Sequence, residues 1–165
     1  MNEGIIQIYY GEGHGKSTAA IGNAIRCASE GKSVIIIQFL KGKNENELAF
    51  LNRLEPEIKI FRFAKSDESF EELSEQEQQE EAMNLRNGFN YGKKVVTTAA
   101  CDMLILDEVL GVIDEKVVAP QEMQELFENK PDDMTLICTG RVLEDSIRPY
   151  ADEVTVQTIV KTDEI

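Results

Sequence analysis

Gln7-Ile8-Tyr9-Tyr10-Gly11-Glu12-Gly13-His14-Gly15-Lys16-Ser17-Thr18-Ala19-Ala20 decides the architecture. An apolar run leads into alternating glycines, then a lysine–hydroxyl pair opens a helical pattern. Glycines reach positive φ and let backbone N–H groups converge on phosphate oxygens. A helix starting beside Lys16 and Ser17 adds unpaired amides and the positive end of its dipole. In that setting Lys16 supplies a point charge to a phosphate chain, and the Ser17 hydroxyl is placed to ligate Mg²⁺. Gly11, Glu12, Gly13, His14, Gly15, Lys16, Ser17 and Thr18 are therefore the candidate nucleotide-binding residues. The general phosphate-loop pattern G-x-x-x-x-G-K-[ST] asks for glycine at position 10, where this chain has Tyr10. The strand–loop–helix context carries the reading; the alternative is a tight structural turn.

Outward from the loop, Ala19, Ala20, Ile21, Ala24, Ile25 and Ala28 recur at three- and four-residue spacing, which predicts one buried helix face before a stop at Gly31. Val34 to Leu40 is almost continuously apolar, the pattern of a parallel strand covered on both faces. Ile58 to Phe63 alternates and predicts a strand nearer an edge. Ser74-Glu75-Gln76-Glu77 matches a capping box, so a helix is expected from there toward Ala100. Gly88 and Gly92 lie on one face of it, permitting close packing on the sheet or marking a break. Met103 to Leu106 and Thr135 to Thr139 read as further strands. Pro120 is expected to open a helix running to Asn129, with Glu122 in its first turn. A short helix over 143–148 and a last strand over 154–160 complete the reading. Strands alternating with helices imply an α/β fold of three layers. The expected form is a P-loop NTPase (RecA-like) domain over 1–165, with a mostly parallel sheet and helices on both faces.

Two carboxylates, Asp107 and Glu108, end the strand beginning at Met103. Acids in that place hold Mg²⁺ or its water ligands, and ligands bind beyond the carboxyl ends of parallel strands. The metal candidates are therefore Ser17, Asp107 and Glu108; the alternative is a solvated acidic turn. Arg141, after Thr139-Gly140, and Lys41, before Gly42, stand at two other strand ends, as phosphate contacts or merely as exposed cations. His14 is the only histidine; a loop histidine fits a phosphate contact better than a general base.

Composition narrows the partners. Lys plus Arg number 17 against 31 Asp plus Glu, a net charge of −14, which argues against nucleic-acid binding. From Asp67 to Glu81, eight of fifteen residues are acidic, most simply a solvated helix face. No apolar run approaches the ~20 residues of a membrane span. The amino terminus lacks a basic segment and a cleavage site, so a cytoplasmic location is expected. Cys27, Cys101 and Cys138 show no metal-ligand spacing and are read as free thiols.

The opening stretch resembles that of the P-loop type of cob(I)alamin (corrinoid) adenosyltransferase. Three further stretches resemble the same family in order: Ile37 to Gly42, Leu104 to Glu108, and Thr135 to Arg141 after Asn129-Lys130-Pro131. The family also lacks the first loop glycine. The resemblance implies ATP and a reduced corrinoid as substrates, with Mg²⁺. Cobalt(I) would attack C5′ of the ribose, taking the 5′-deoxyadenosyl group and releasing triphosphate. It further implies Lys16, Ser17 and Glu108 as the residues serving catalysis, an electron-donating reductase as partner, a homodimer as one way to cover the site, and an ATP lying reversed along the loop. The chain departs from the family at His14, where lysine is common. It also departs at Ser66-Asp67-Glu68-Ser69-Phe70-Glu71-Glu72, where members carry a Phe-Thr-Trp-like element, and in lacking the usual Gly-Ile-Glu-aromatic tail. Two other readings stay open: a diverged ATPase releasing ADP and phosphate, and a non-catalytic ATP-binding or partner-binding module.

Overall fold

The computed structural model describes residues 3–40 and 49–164. Its strands are β1 (Ile6–Tyr10), β2 (Val34–Gln38), β3 (Ile58–Arg62), β4 (Met103–Asp107), β5 (Thr135–Gly140) and β6 (Glu153–Val156). Its helices are α1 (Lys16–Ser29), α2 (Glu75–Thr97), α3 (Val109–Asp114) and α4 (Pro120–Glu128). The strands form one sheet in the order β3-β2-β4-β5-β1-β6, and every neighbouring pair is parallel. Parallel pairing brings all the strand carboxyl ends to one edge, which is where the glycine-rich loop lies.

Side-chain alternation divides the core into two layers. Tyr9, Val34, Ile36, Ile105 and Ile137 face α1 through Ala20 and Ala24. Ile8, Ile37, Leu104, Leu106, Leu136 and Cys138 face the other way, beneath α2, α3 and α4. All of β2 is buried, as its apolar run requires, and β3 is an edge strand, as its alternation requires. The buried stripe of α1 is narrower than its apolar spacing predicts: Ala20 and Ala24 are covered, while Ile25 is 49% exposed. The fully covered positions are alanines, with Ile21, Cys27 and Ala28 packed partly buried beside them.

Helix α2 begins with the predicted capping box, in which the Glu77 N–H donates to Ser74 Oγ and the Ser74 N–H to Glu77 Oε2. It then runs unbroken through Gly88 and Gly92. A Cβ at Gly88 would stand 2.9 Å from the Phe39 ring and 3.0 Å from Phe63; one at Gly92 would meet Leu106 at 3.3 Å and Ile37 at 3.5 Å. The two glycines therefore make opposite predictions. Alanine gains about 1 kcal/mol of helix propensity at either position. At Gly88 an overpacking cost of about 1–3 kcal/mol outweighs it, because Phe39 is fully buried. Gly88→Ala is expected to lower the urea midpoint and Gly92→Ala to leave it unchanged or raise it. Equal shifts would refute the close-packing account.

Pro120 opens α4, and Glu122 in its first turn accepts from Arg86 of α2 at 2.5 Å, which joins the two helices. Arg86 holds the Glu122 carboxyl below the usual range. Two expectations need correction, and one element was not foreseen. The segment after Leu143 forms a turn and then a 3-10 helix at Arg148–Tyr150, not an α-helix; Pro149 supplies no N–H donor and disfavours α geometry at the residue before it. The last strand stops at Val156, because its partner β1 ends at Tyr10 and the chain turns onto the loop. The helix α3 had no sequence signal: its six residues follow a strand directly, with no side-chain cap.

Candidate active site

The loop between β1 and α1 is pinned on two sides. Gly11 N–H donates to both Gly140 O and Arg141 O, at 3.2 and 3.1 Å, tying it to the end of β5. On the other side Gln157 N–H donates to Tyr10 O at 2.8 Å and Gly13 N–H donates to Gln157 O at 3.3 Å. This close approach needs glycine: a Cβ at Gly11 would lie 2.1 Å from Gln157 O, and φ there is +126°. The Lys16 side chain folds over the loop, its Nζ donating to Gly11 O at 2.7 Å and Gly13 O at 2.6 Å. It is only 7% exposed. Its ammonium is thus held at the centre of the loop at the head of α1, where the first-turn amides lack intrahelical partners.

Beneath the loop, a hydroxyl–carboxylate chain joins the first turn of α1 to the ends of β4 and β5. Ser17 Oγ donates to Asp107 Oδ1 at 2.7 Å, and Thr139 Oγ1 donates to the same oxygen at 2.8 Å. Thr139 Oγ1 in turn accepts the Glu108 N–H at 2.8 Å. Asp107 is 2% exposed and Thr139 fully buried. Glu108 adopts a left-handed conformation, φ 66° and ψ 20°, which costs a non-glycine residue roughly 1–3 kcal/mol and is found where surrounding structure over-determines the backbone. Here the Thr139 bond and the start of α3 impose it.

Two cavities open at this edge. One of about 200 Å³ is lined by Glu12, Gly13, His14, Gly15, Lys16, Ser17, Glu108 and Arg141. The second, about 610 Å³, is lined on one side by Leu40, Ala64 and Phe70, and by Glu108 and Arg141 again. The two cavities therefore adjoin through Glu108 and Arg141. Another cavity, about 490 Å³, lies at the opposite edge near Arg26, Cys27 and Asp102 and contains no loop residue.

The fold thus brings together most of the residues singled out from the sequence. Gly11 backs the loop, and Asp107 lies under it against Ser17. Thr18 is exposed on the first turn of α1 and lines neither cavity. Lys41 lies outside the described residues. Thr139 is the missed residue. A hydroxyl at a strand end between the loop strand and the Asp107 strand was the available signal, but it required the strand order. Gln157 also went unread, since its contact with the loop joins distant parts of the chain. Its buried Oε1 has no hydrogen-bond partner among the described residues.

The donor set fits Mg²⁺ rather than a softer metal. Ser17, Asp107 and Glu108 offer oxygen only, and no group of three His, Cys, Asp or Glu among the described residues could hold an ion by itself. That suits Mg²⁺, which takes one or two protein oxygens and completes its shell with phosphates and water. The cysteines take no part: burial pushes the Cys101 thiol up to about 12 and raises Cys138 as well, keeping both protonated. No described helix is long and apolar enough to cross a membrane.

Thr139→Val preserves shape while removing the hydroxyl that bridges Asp107 and Glu108. The substitution withdraws the hydroxyl from both Asp107 Oδ1 and the Glu108 N–H; losing such a bond costs about 1–3 kcal/mol, so a lower melting temperature is expected. Unchanged stability would mean that the Glu108 turn does not depend on this bond.

Comparison with known proteins places these features in context. The family model described as ATP:corrinoid adenosyltransferase BtuR/CobO/CobP matches residues 2–163. The corrinoid adenosyltransferase of Escherichia coli K12 is 30% identical over 158 residues, spanning 96% of this chain and 78% of that protein. The corrinoid adenosyltransferase CobA of Salmonella typhimurium LT2 matches to the same extent. A solved KaiC-like protein from Pyrococcus horikoshii OT3 superposes with a TM-score of 0.62 at 18% identity, over 94% of this chain and 72% of that one. The last likeness concerns the fold alone.

Proposed function

The chain belongs to the ATP:corrinoid adenosyltransferase family, and from that premise we propose how its own residues carry the reaction. ATP lies with its triphosphate in the smaller cavity and a reduced corrinoid occupies the larger one. The reading is carried by one observation: the cavities adjoin, sharing Glu108 and Arg141. An alkyl transfer between two bound substrates needs that adjacency.

In the reaction the electron pair of Co(I) forms the cobalt–carbon bond at C5′, while the C5′–O bond breaks and its electrons leave with triphosphate. The chemistry needs no side-chain nucleophile or base. The protein contributes position and charge. Lys16 exchanges its loop carbonyls for phosphate oxygens, and Arg141 and His14 face the same cavity. Ser17, Asp107 and Glu108 would hold Mg²⁺, which when bound neutralises charge on the triphosphate. Thr139 orients Asp107 and fixes the turn that presents Glu108. A reductase supplying the electron for Co(I), a second copy covering the open edge, and a cytoplasmic setting belong to this proposal.

The test is product analysis. Protein, ATP, Mg²⁺ and chemically reduced cobalamin or cobinamide should give a light-sensitive adenosylated corrinoid and triphosphate. ADP and orthophosphate, with the corrinoid spectrum unchanged, would overturn the proposal.

A further inference from the structure

The smaller cavity faces a polyanion, yet its lining has no fixed surplus of positive charge. Lys16 and Arg141 are its cations and Glu12 and Glu108 its carboxylates, so these charges cancel until His14 takes up a proton. The chain as a whole adds nothing favourable, with a net charge of −14. At about 200 Å³ the cavity is narrower than the ~8–10 Å Debye length, so salt does not hide its lining charges from what fills it. One cation is already partly engaged, since the Lys16 ammonium donates to Gly11 O and Gly13 O at 2.7 and 2.6 Å. The bonds that pin the loop run through Gly11, Gly13, Lys16 and Gln157, and the His14 imidazole takes no part in them. His14 is exposed at the cavity and is the only histidine in the chain.

Resting on the assignment of this cavity to the triphosphate, the geometry gives that side chain a task. We propose that His14 holds the phosphate chain as an imidazolium, so that nucleotide binding takes up a proton and weakens as pH rises. A neutral imidazole offers one N–H and keeps a lone pair on its other nitrogen, whereas an imidazolium donates from both. Hydrogen bonds between ionised partners are also roughly twice as strong as neutral ones. The charged groups around the ring are balanced, Glu12 and Glu108 against Lys16 and Arg141, so incoming phosphates tip it toward the protonated form. The same ring meets triphosphate once the adenosyl group has gone. That product carries more charge than ATP, and acid therefore retards its release.

The experiment measures binding of ATP and of triphosphate by calorimetry with Mg²⁺ in excess. It runs from about pH 5.5 to 8.5, the range in which histidine changes charge, in pairs of buffers that differ in ionisation enthalpy. Affinity for both ligands should fall by about 10-fold across that range, more for triphosphate, and near neutral pH binding should draw protons from the buffer. His14→Lys should bind tightly throughout and lose the proton uptake, and His14→Gln should bind weakly throughout. Any slope left in the lysine variant belongs to the ligand's own phosphates and is subtracted. The KM for ATP in adenosyl transfer should follow the same pattern. Proton uptake by the unaltered protein is decisive even should a variant not fold. Binding without proton uptake, or parallel slopes in the unaltered protein and both variants, would overturn the role of His14 and leave the nucleotide site intact. If ATP binds at no pH, the cavity assignment itself falls and takes this inference with it.

Discussion

Lys16→Ala is expected to lower kcat/KM for adenosyl transfer by about 10³-fold, the loss typical of removing one preorganised group aimed at developing charge. The magnitude follows from where the charge sits. Lys16 is buried in the loop, with its ammonium 2.6–2.7 Å from two carbonyl oxygens of that loop, so a departing triphosphate meets a cation already in place. Negative charge gathers on the leaving group as the C5′–O bond breaks, so kcat should fall along with kcat/KM. The substitution also strips Gly11 O and Gly13 O of a donor, at a cost of about 1–3 kcal/mol where water does not replace it. Melting temperature and ATP affinity therefore need measuring beside activity. A variant that folds, binds ATP and retains activity within tenfold would mean that this lysine does not carry the leaving-group charge.

Asp107→Asn is expected to cost about 10²-fold in activity and to raise the Mg²⁺ concentration needed for half-maximal rate. The exchange keeps the shape of the side chain. An amide oxygen can still accept from Ser17 and Thr139, which both donate to Asp107 Oδ1. What disappears is the negative charge, buried at 2% exposure under the loop. The substitution therefore separates charge from geometry. Unchanged Mg²⁺ dependence would remove Asp107 from the metal site and leave Ser17 and Glu108 as its protein ligands.

Where pattern is local, the fold was legible in the sequence. Ser74 and Glu77 cap their helix as their spacing requires, Val34 to Gln38 is buried on both faces, and Pro120 opens a helix. The phosphate loop was legible for the same reason, since its residues are consecutive and each type has a direct physical use. Apart from the local effect of Pro149, corrections came where a neighbour distant in sequence decides the outcome. The exposure of Ile25 depends on which side of α1 meets the sheet, and the last strand ends where β1 ends. Thr139 is ordinary within its own strand. It becomes a hub only because β5 lies between β4 and β1. The walls of the larger cavity were harder to read still. They come from the acidic stretch after Ala64, from the short α3 that left no periodic signal, and from Arg141, whose two sequence readings are evenly matched.

The packing of Gln157 on the phosphate loop has a consequence for how the protein is made. The loop is synthesised before one wall of its cradle, the segment after β6 that carries Gln157, more than a hundred residues further along the chain. Until that segment docks, Gly13 lacks its carbonyl partner. A nascent chain therefore carries the nucleotide signature long before it owns a finished nucleotide site. ATP that binds only the completed form then stabilises it by mass action, and loading with nucleotide reports that these two distant segments have met.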